Sequence, residues 1–541
     1  MRYCEPSHGV TSSSHSALQL ILLILLPATV FSLLLFKCLP FFADDAFISL
    51  RYAERLLDGK GLTWNDGERV EGYSNLLWVL VVALFGKFGM DLEIAGHVVC
   101  ILATVLACGA LVYLANQKQL HYISKLSAVL ALVTSWPVVY WTAGGLEATL
   151  HMALITWVAV IGWLRFYENK IGGSVFILSL LLGLISINRP DGAIFIGVFS
   201  LLFLLPNSQE TRKEAVYIFL LSLILPICQV LFRIYYYGDP LPNTYYAKVA
   251  INEKRFWGGL TYLSRELLVY LPIFAATALC GALSKSNWRN NLFVIGFFSF
   301  PAVTWLTFVA IGGGDFFVYA RHIVPVTGLF IIPLMLLLNH SLATRMRSAI
   351  AITATLAVIG YQVHYSTLPN QAVTVSKELS WYRHYRGLGY KLHELFADTN
   401  PQPLIAVTGA GAIPYYSKLP TVDMLGLNDP YLTKNKPDKF GYGMLAHDLF
   451  RPDYALERSP DIIIFNDGVA KYDFGLTFQK QFQDTYHHHG ILLSLRIFNS
   501  PPVTWFGSVW VRNDSPALED IQNVSEPAKI KYLNKPDSVG R

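Results

Sequence analysis

Two neighbouring carboxylates, Asp44 and Asp45, follow directly on an apolar run in the stretch "FFADDAFIS" (41–49). A carboxylate with a raised pKa can take a proton from a hydroxyl or face a cationic transition state, and repulsion between neighbours tends to raise one of the two. The plain alternative is a helix N-cap ahead of "AFISLRYAERLLDG", which accounts for one aspartate but not for both. Adjacent side chains at a helix start point different ways, so Asp44 is read as the catalytic carboxylate and Asp45 as its neighbour, capping the helix or positioning a cation or a sugar hydroxyl.

Four more polar stretches interrupt the apolar ones. "TAGGLEATL" (142–150) carries Glu147, and "NRPDG" (188–192) carries Arg189 and Asp191, whose simplest fate is to pair with each other. "YYYGDPLPNTYYAK" (235–248) brings Asn243, Tyr245, Tyr246 and Lys248, an amide, two aromatic faces and a cation of the kind that suit a sugar or a phosphate. "GGGDFFVYARH" (312–322) brings Asp315, Arg321 and His322 behind three glycines. Glycine lets backbone approach a ligand closely, and arginine binds phosphate in a bidentate manner.

The elements that must position these groups are those of a membrane. Of 541 residues 53% are apolar and only 15% charged, and the mean hydropathy is +0.41. That excludes an ordinary soluble domain. The net charge of +5 is spread over loops with no basic tail or basic helix, which speaks for an orientation signal and against a nucleic-acid partner. All six cysteines lie in the first 280 residues, so the final third has neither a disulfide framework nor a zinc motif.

About eleven apolar runs are long enough to span. If Ser74–Phe88 lies along the interface, Lys118, Lys125, Arg165, Lys170, Arg212, Lys213, Lys285, Arg289, Arg345 and Arg347 all fall on one side, as cytoplasmic loops should. The expectation is a polytopic α-helical protein of a bacterial inner membrane. Residues 1–16 would be cytoplasmic, 17–366 the transmembrane domain with a first outer loop at 40–92, and 367–541 a soluble α/β domain on the periplasmic side. Every motif loop then falls on the outer face. In the last region "PLIAVTGAGAIPYYS" (403–417) and "PDIIIFNDG" (460–468) read as buried strands, and "WYRHYRGLGYKLHELFAD" (381–398) as an amphipathic helix. The three histidines at 487–489 are adjacent on one element, which suits a surface cluster better than a metal site.

With these residues in view, the chain resembles the C-type, polyprenyl-phosphate-dependent glycosyltransferase superfamily, and more closely the bacterial arabinofuranosyltransferase family. The stretches that carry the resemblance are "DDAFISLRYAERLLDGKGLTWNDGERVEGYSNLLW" (44–78), "GGLEAT" (144–149), "RPDG" (189–192), "YGDPLPNTYYAK" (237–248), "GGGDFFVYARHIVP" (312–325) and "GAGAIPYYSKLPTVDMLGLNDP" (409–430). Departures stand at Ala148, at His322 and at "MLAHD" (444–448), where His447 is the remnant of a Gly-His motif. The resemblance implies transfer of a pentose from a polyprenyl-phosphate donor in the bilayer to a glycan, lipopolysaccharide or glycoprotein acceptor. Asp44 and Asp45 would be catalytic. Arg321, Lys248, Arg189, Asn243, Tyr245, Tyr246 and Asp315 would hold the donor, and Glu147, Asp191, His322, Asp429 and His447 would position substrate. No cofactor is called for, and a divalent metal, Mg or Mn, stays open.

Two other function classes compete. A transporter or lipid-linked-sugar flippase would carry ionisable residues near the midplane of its spans, often in repeated halves, whereas here nearly all sit at span ends. A non-catalytic scaffold binding an envelope polymer would leave the clustered acids without a task.

Overall fold

A computed structural model describes residues 10–524 apart from 173, 207, 285, 343, 466–483 and 496–502, so Lys285 and the end of "PDIIIFNDG" lie outside the described residues. Among the described residues eight helices are long and apolar enough to cross a bilayer: Leu18–Phe36, Leu92–Gln117, Ala148–Phe166, Gln209–Tyr237, Glu253–Leu283, Trp288–Gly312, Val324–Ser341 and Arg345–Thr367. A ninth is broken, with Tyr122–Thr134 and Trp136–Ala143 meeting at 54°. Pro137, early in the second piece, cannot donate back into the first.

The count by length is therefore eight, or nine with the bent pair, in place of eleven. The two missing spans are the short apolar helices Val175–Asn188 and Pro190–Leu204. Arg189 between them is extended (φ −153°, ψ 131°), as a residue before proline prefers, and this ends the first helix well short of the roughly 20 residues a span needs. Leu76–Lys87, the segment read as interfacial, is a separate apolar helix of 12 residues.

The chain forms two compact units. The first comprises 1–40, 96–229 and 255–375; the second comprises 41–95, 230–254 and 376–541. In the first unit Val324–Ser341 is buried nearly all round, which its uninterrupted apolar sequence permits. Gly328 lets Thr156 in, since a Cβ there would stand 2.1 Å from the Thr156 hydroxyl. Lys118 pairs with Glu168, and Arg165 grips Glu214 through two nitrogens. The loops read as purely basic are thus partly neutralised from within.

In the second unit a five-stranded sheet has the order β2-β1-β3-β5-β4. β1 (Ile405–Val407) pairs in parallel with β2 (Thr421–Asp423) and β3 (Ile462–Ile464); β5 (Val503–Arg512) then runs antiparallel to β3 and to β4 (Tyr486–Leu495). The three parallel strands are buried along their length, β1 and β3 as short apolar runs and β2 with Val422 between Thr421 and Asp423. Ala406, Val422, Met424, Ala455, Ile463 and Tyr486 form the core beside them. The expected strands are found at β1 and β3, but only 405–407 of the stretch 403–417 is strand and Ala412–Ser417 is a short helix; the amphipathic helix coincides with the end of Pro369–Phe396. The histidine triplet lies on β4 with His487 exposed.

Candidate functional site

The second unit holds the acidic pair. Its helix, Asp44–Leu57, buries Ala46, Leu50 and Ala53 along one stripe. Phe47 enters an aromatic cluster with Phe42, Tyr382, Tyr415 and Tyr416. Arg51, also buried, donates to the carbonyls of Trp64, Pro414 and Leu419, which fixes the helix against the segment that follows β1. The expected side-chain cap is not made. Ala43 is the N-cap residue, and both aspartates sit in the first turn, where the helix dipole favours negative charge.

The two carboxylates then part. Asp44 accepts the backbone N–H of Ala412 (2.8 Å) and of Gly411 (3.2 Å). Gly411 has to be glycine, because a Cβ there would lie 1.9 Å from the Asp44 carbonyl oxygen. Asp44 keeps partial exposure, yet burial by the surrounding protein pushes its pKa up to about 6 against the opposing pull of those two N–H groups, with Asp45 and Asp423 adding repulsion. Asp45 instead faces Lys248, Nζ to Oδ2 3.7 Å. Pushed-up acid and salt-paired neighbour stand side by side.

The remaining expected residues of this unit have mostly structural tasks. Asn243 donates to the carbonyls of Gly426 and Leu427 (both 2.8 Å) and accepts from the Thr433 hydroxyl (2.7 Å), which pins the short helix Asn243–Lys248 and so places Lys248. Tyr246 donates to Asp239 (2.7 Å), while Tyr245 is exposed. Asp429 caps Pro430–Lys434 through the N–H of Tyr431 and accepts from the Tyr454 hydroxyl. The His447 imidazole lies 2.9 Å from the Leu445 carbonyl of its own loop.

Asp423 was missed, although it lies inside a quoted motif stretch. It ends β2, is fully buried, accepts from Leu425 N, Asn428 N and Asn428 Nδ2, and is pushed up to about 6 by burial. Nothing local in the sequence marked it.

The first unit holds a different kind of cluster. Arg189 grips Asp191 through Nε (3.0 Å) and Nη2 (2.7 Å) and reaches Glu147 through Nη1 (2.6 Å). Arg321 grips Asp315 in the same way, at 2.7 and 3.1 Å, and its guanidinium lies over the rings of Phe317 and Trp141. His322 stands 3.6 Å from Asp315. Burial alone would raise Glu147, but Arg189 and Arg321 outweigh it and hold its pKa down to about 2. The arginine forks expected to take a phosphate are thus already engaged by carboxylates.

The loop that presents Arg321 is strained. Tyr319 and Ala320 are both left-handed, at φ 59° and 54°, which costs on the order of 1–3 kcal/mol each for residues with a Cβ. The Trp141 indole N–H donates to the Tyr319 carbonyl (2.9 Å), and the Tyr262 hydroxyl accepts the His322 N–H (3.3 Å). Gly314, at φ +77°, packs on Tyr262, where a Cβ would approach to 2.6 Å. Beneath Glu147, the Asn188 amide donates to His151 Nδ1 (3.2 Å) and to the Glu147 carbonyl (3.4 Å). None of Trp141, Tyr262, His151 and Asn188 was expected; Trp141 and His151 flank "TAGGLEATL", Asn188 opens "NRPDG", and Tyr262 lies outside every motif stretch. Among the described residues no group of three His, Cys, Asp or Glu side chains is arranged to hold a metal ion.

A family model described as a domain of unknown function (DUF8728) matches residues 378–508. The terminal β-(1→2)-arabinofuranosyltransferase of Mycobacterium tuberculosis is 27% identical over 47% of this chain and 42% of its own length. Its namesake in Corynebacterium glutamicum is 25% identical over 46% and 39%. The chain thus spans about two-fifths of the length of the curated relatives it matches. Among solved structures, ArnT from Cupriavidus metallidurans in the apo state superposes with a TM-score of 0.58 at 11% identity, covering 95% of this chain and 100% of that one. The same protein bound to undecaprenyl phosphate gives 0.57 at 11% identity, covering 92% and 98%. The chain is a multi-pass membrane protein that shares the fold of ArnT and is similar in sequence to the terminal arabinofuranosyltransferases.

Proposed function

We propose that the chain is a membrane glycosyltransferase that moves arabinofuranose, or a related pentose, from a polyprenyl-phosphate donor to a cell-envelope acceptor. The reaction would run at the outer face of a bacterial inner membrane, with the N-terminus cytoplasmic and 367–541 periplasmic. One observation carries the chemistry: Asp44 is a partly exposed carboxylate with a pKa raised to about 6, held by two backbone N–H groups beside a neighbour already paired with lysine. Such a group is ionised at neutral pH and still basic enough to accept a proton.

In the proposed step Asp44 takes the proton of the acceptor hydroxyl as that oxygen bonds to the anomeric carbon. The bond from that carbon to the phosphate oxygen breaks, and the polyprenyl phosphate leaves with the electron pair. Lys248, beside Asp45, is the proposed cation for the departing phosphate. Arg189 and Arg321 are proposed donor ligands on the resemblance alone. No step is routed through a metal.

The test is to incubate the purified full-length chain with polyprenyl-phosphate pentoses and hexoses and follow release of polyprenyl phosphate. Release from a pentose donor, lost in Asp44→Asn, is expected; no release from any donor overturns the reading. Orientation is tested separately. Cysteines at Gly67 and Lys418 should react with a membrane-impermeant thiol reagent in spheroplasts, and one at Lys213 should not.

A further inference from the structure

An exposed aromatic ring in the second unit is held more firmly than a surface tyrosine should be. Tyr431 is 42% exposed, and its inner face is stacked on the buried Tyr454, with centroids 4.4 Å apart and planes at 14°. One carboxylate locks both partners: Asp429 accepts the Tyr431 N–H through Oδ1 (2.8 Å) and the Tyr454 hydroxyl through Oδ2 (2.7 Å). Arg458 donates to the same hydroxyl (3.0 Å) and stands 3.7 Å from Glu68. Arg451, which lies within electrostatic reach of Tyr431, is paired with Asp453, and both side chains of that pair are substantially exposed.

We propose that the outer face of Tyr431 is a stacking platform for a sugar ring of a neutral acceptor glycan, with the exposed Arg451–Asp453 pair meeting the sugar's hydroxyls at its rim. The inference rests on the glycosyltransferase reading and names the acceptor's chemistry. A free tyrosine would lose side-chain freedom on binding, whereas this ring is already ordered by its stack and by Asp429, so little is lost when a ligand lies on it. Aromatic rings offer an apolar face to C–H groups and leave hydroxyls to the polar edge, which suits saccharides. The charge balance selects the class. Arg451 and Arg458 are outnumbered by Asp429, Asp453 and Glu68, which disfavours a phosphorylated or otherwise anionic polymer.

The experiment titrates the full-length chain in detergent with an arabinofuranosyl hexasaccharide, alongside assays of polyprenyl-phosphate release. Tyr431→Ala should weaken binding and raise KM for the hexasaccharide by about tenfold with kcat near wild type. Tyr431→Trp, which keeps a flat face, should restore both. Equal binding by wild type and Tyr431→Ala, or no binding by wild type, overturns the proposal. Ring-dependent binding by a protein that releases polyprenyl phosphate from no donor would uphold the platform and sink the transferase reading instead.

Discussion

Asp44 and Glu147 are both carboxylates at the start of a helix, and the protein moves them in opposite directions. Asp44 is raised to about 6 because burial and two further carboxylates outweigh the two backbone N–H groups that favour its charge. Glu147 is lowered to about 2 because two guanidinium groups outweigh its burial. Both carry a carboxylate within the first residues of a helix, Asp44 in the first turn and Glu147 at the N-cap, so the difference lies chiefly in who the neighbours are. The first environment leaves a carboxylate able to take up a proton near neutral pH; the second fixes a negative charge for good. The stability linkage is opposite too. The contribution of Asp44 is greatest below the ordinary carboxylate range and is lost as pH rises through about 6. That of Glu147 is present above the ordinary range and is lost as pH falls towards 2.

The largest test of this contrast is Asp44→Asn, which should lower polyprenyl-phosphate release by about 10²–10⁴ while donor binding persists. A Glu147→Gln variant that lost as much activity without losing stability would erase the distinction. Next comes Arg189→Ala, which leaves Glu147 and Asp191 without their shared cation. About 3–5 kcal/mol of destabilisation is expected, read as a drop in thermal midpoint in detergent. If stability held, the cluster would not be the fixed ionic structure described.

The pH–rate profile sharpens the other side. Activity should fall about tenfold per unit below pH 6, as Asp44 becomes protonated, and level off above it. Asp423 is raised to the same value, so an acid limb that survives in Asp44→Asn and disappears in Asp423→Asn would move the assignment to Asp423. Trp141→Phe removes the indole N–H shared by the Val318 and Tyr319 carbonyls and leaves a smaller aromatic ring in its place. A cost of roughly 0.5–1.5 kcal/mol in stability is expected, and a larger fall in turnover than in stability would show that the loop's shape matters to the reaction. Smallest is Lys248→Met, which removes a half-exposed ion pair. Stability should change by about 1 kcal/mol or less, while KM for the donor rises.

The motif stretches were legible because they are charged punctuation in apolar sequence, and the strands at β1 and β3 because runs such as Ile462–Ile464 admit little else. What could not be read was pairing. Asn243 looks like a ligand for sugar until its amide is seen to be saturated by Gly426, Leu427 and Thr433. Arg321 looks like a phosphate fork until Asp315 fills it. Asp423 was passed over because nothing local marks a carboxylate as buried; that depends on how the sheet is covered. The runs on either side of Arg189 were legible as two segments divided at Pro190, but each forms a helix shorter than the span criterion, a boundary that apolar composition does not mark.

Two acceptors of the Arg51 guanidinium, the Pro414 and Leu419 carbonyls, and both N–H donors to Asp44 lie more than 360 residues downstream of the residues they hold. A chain emerging from the ribosome therefore carries its acidic pair through most of its synthesis without the backbone that tunes it. Until the segment around Gly411 to Leu419 has been made and docked, Asp44 is an ordinary carboxylate with an ordinary affinity for protons. The raised proton affinity of Asp44 is thus acquired only after most of the chain has been made.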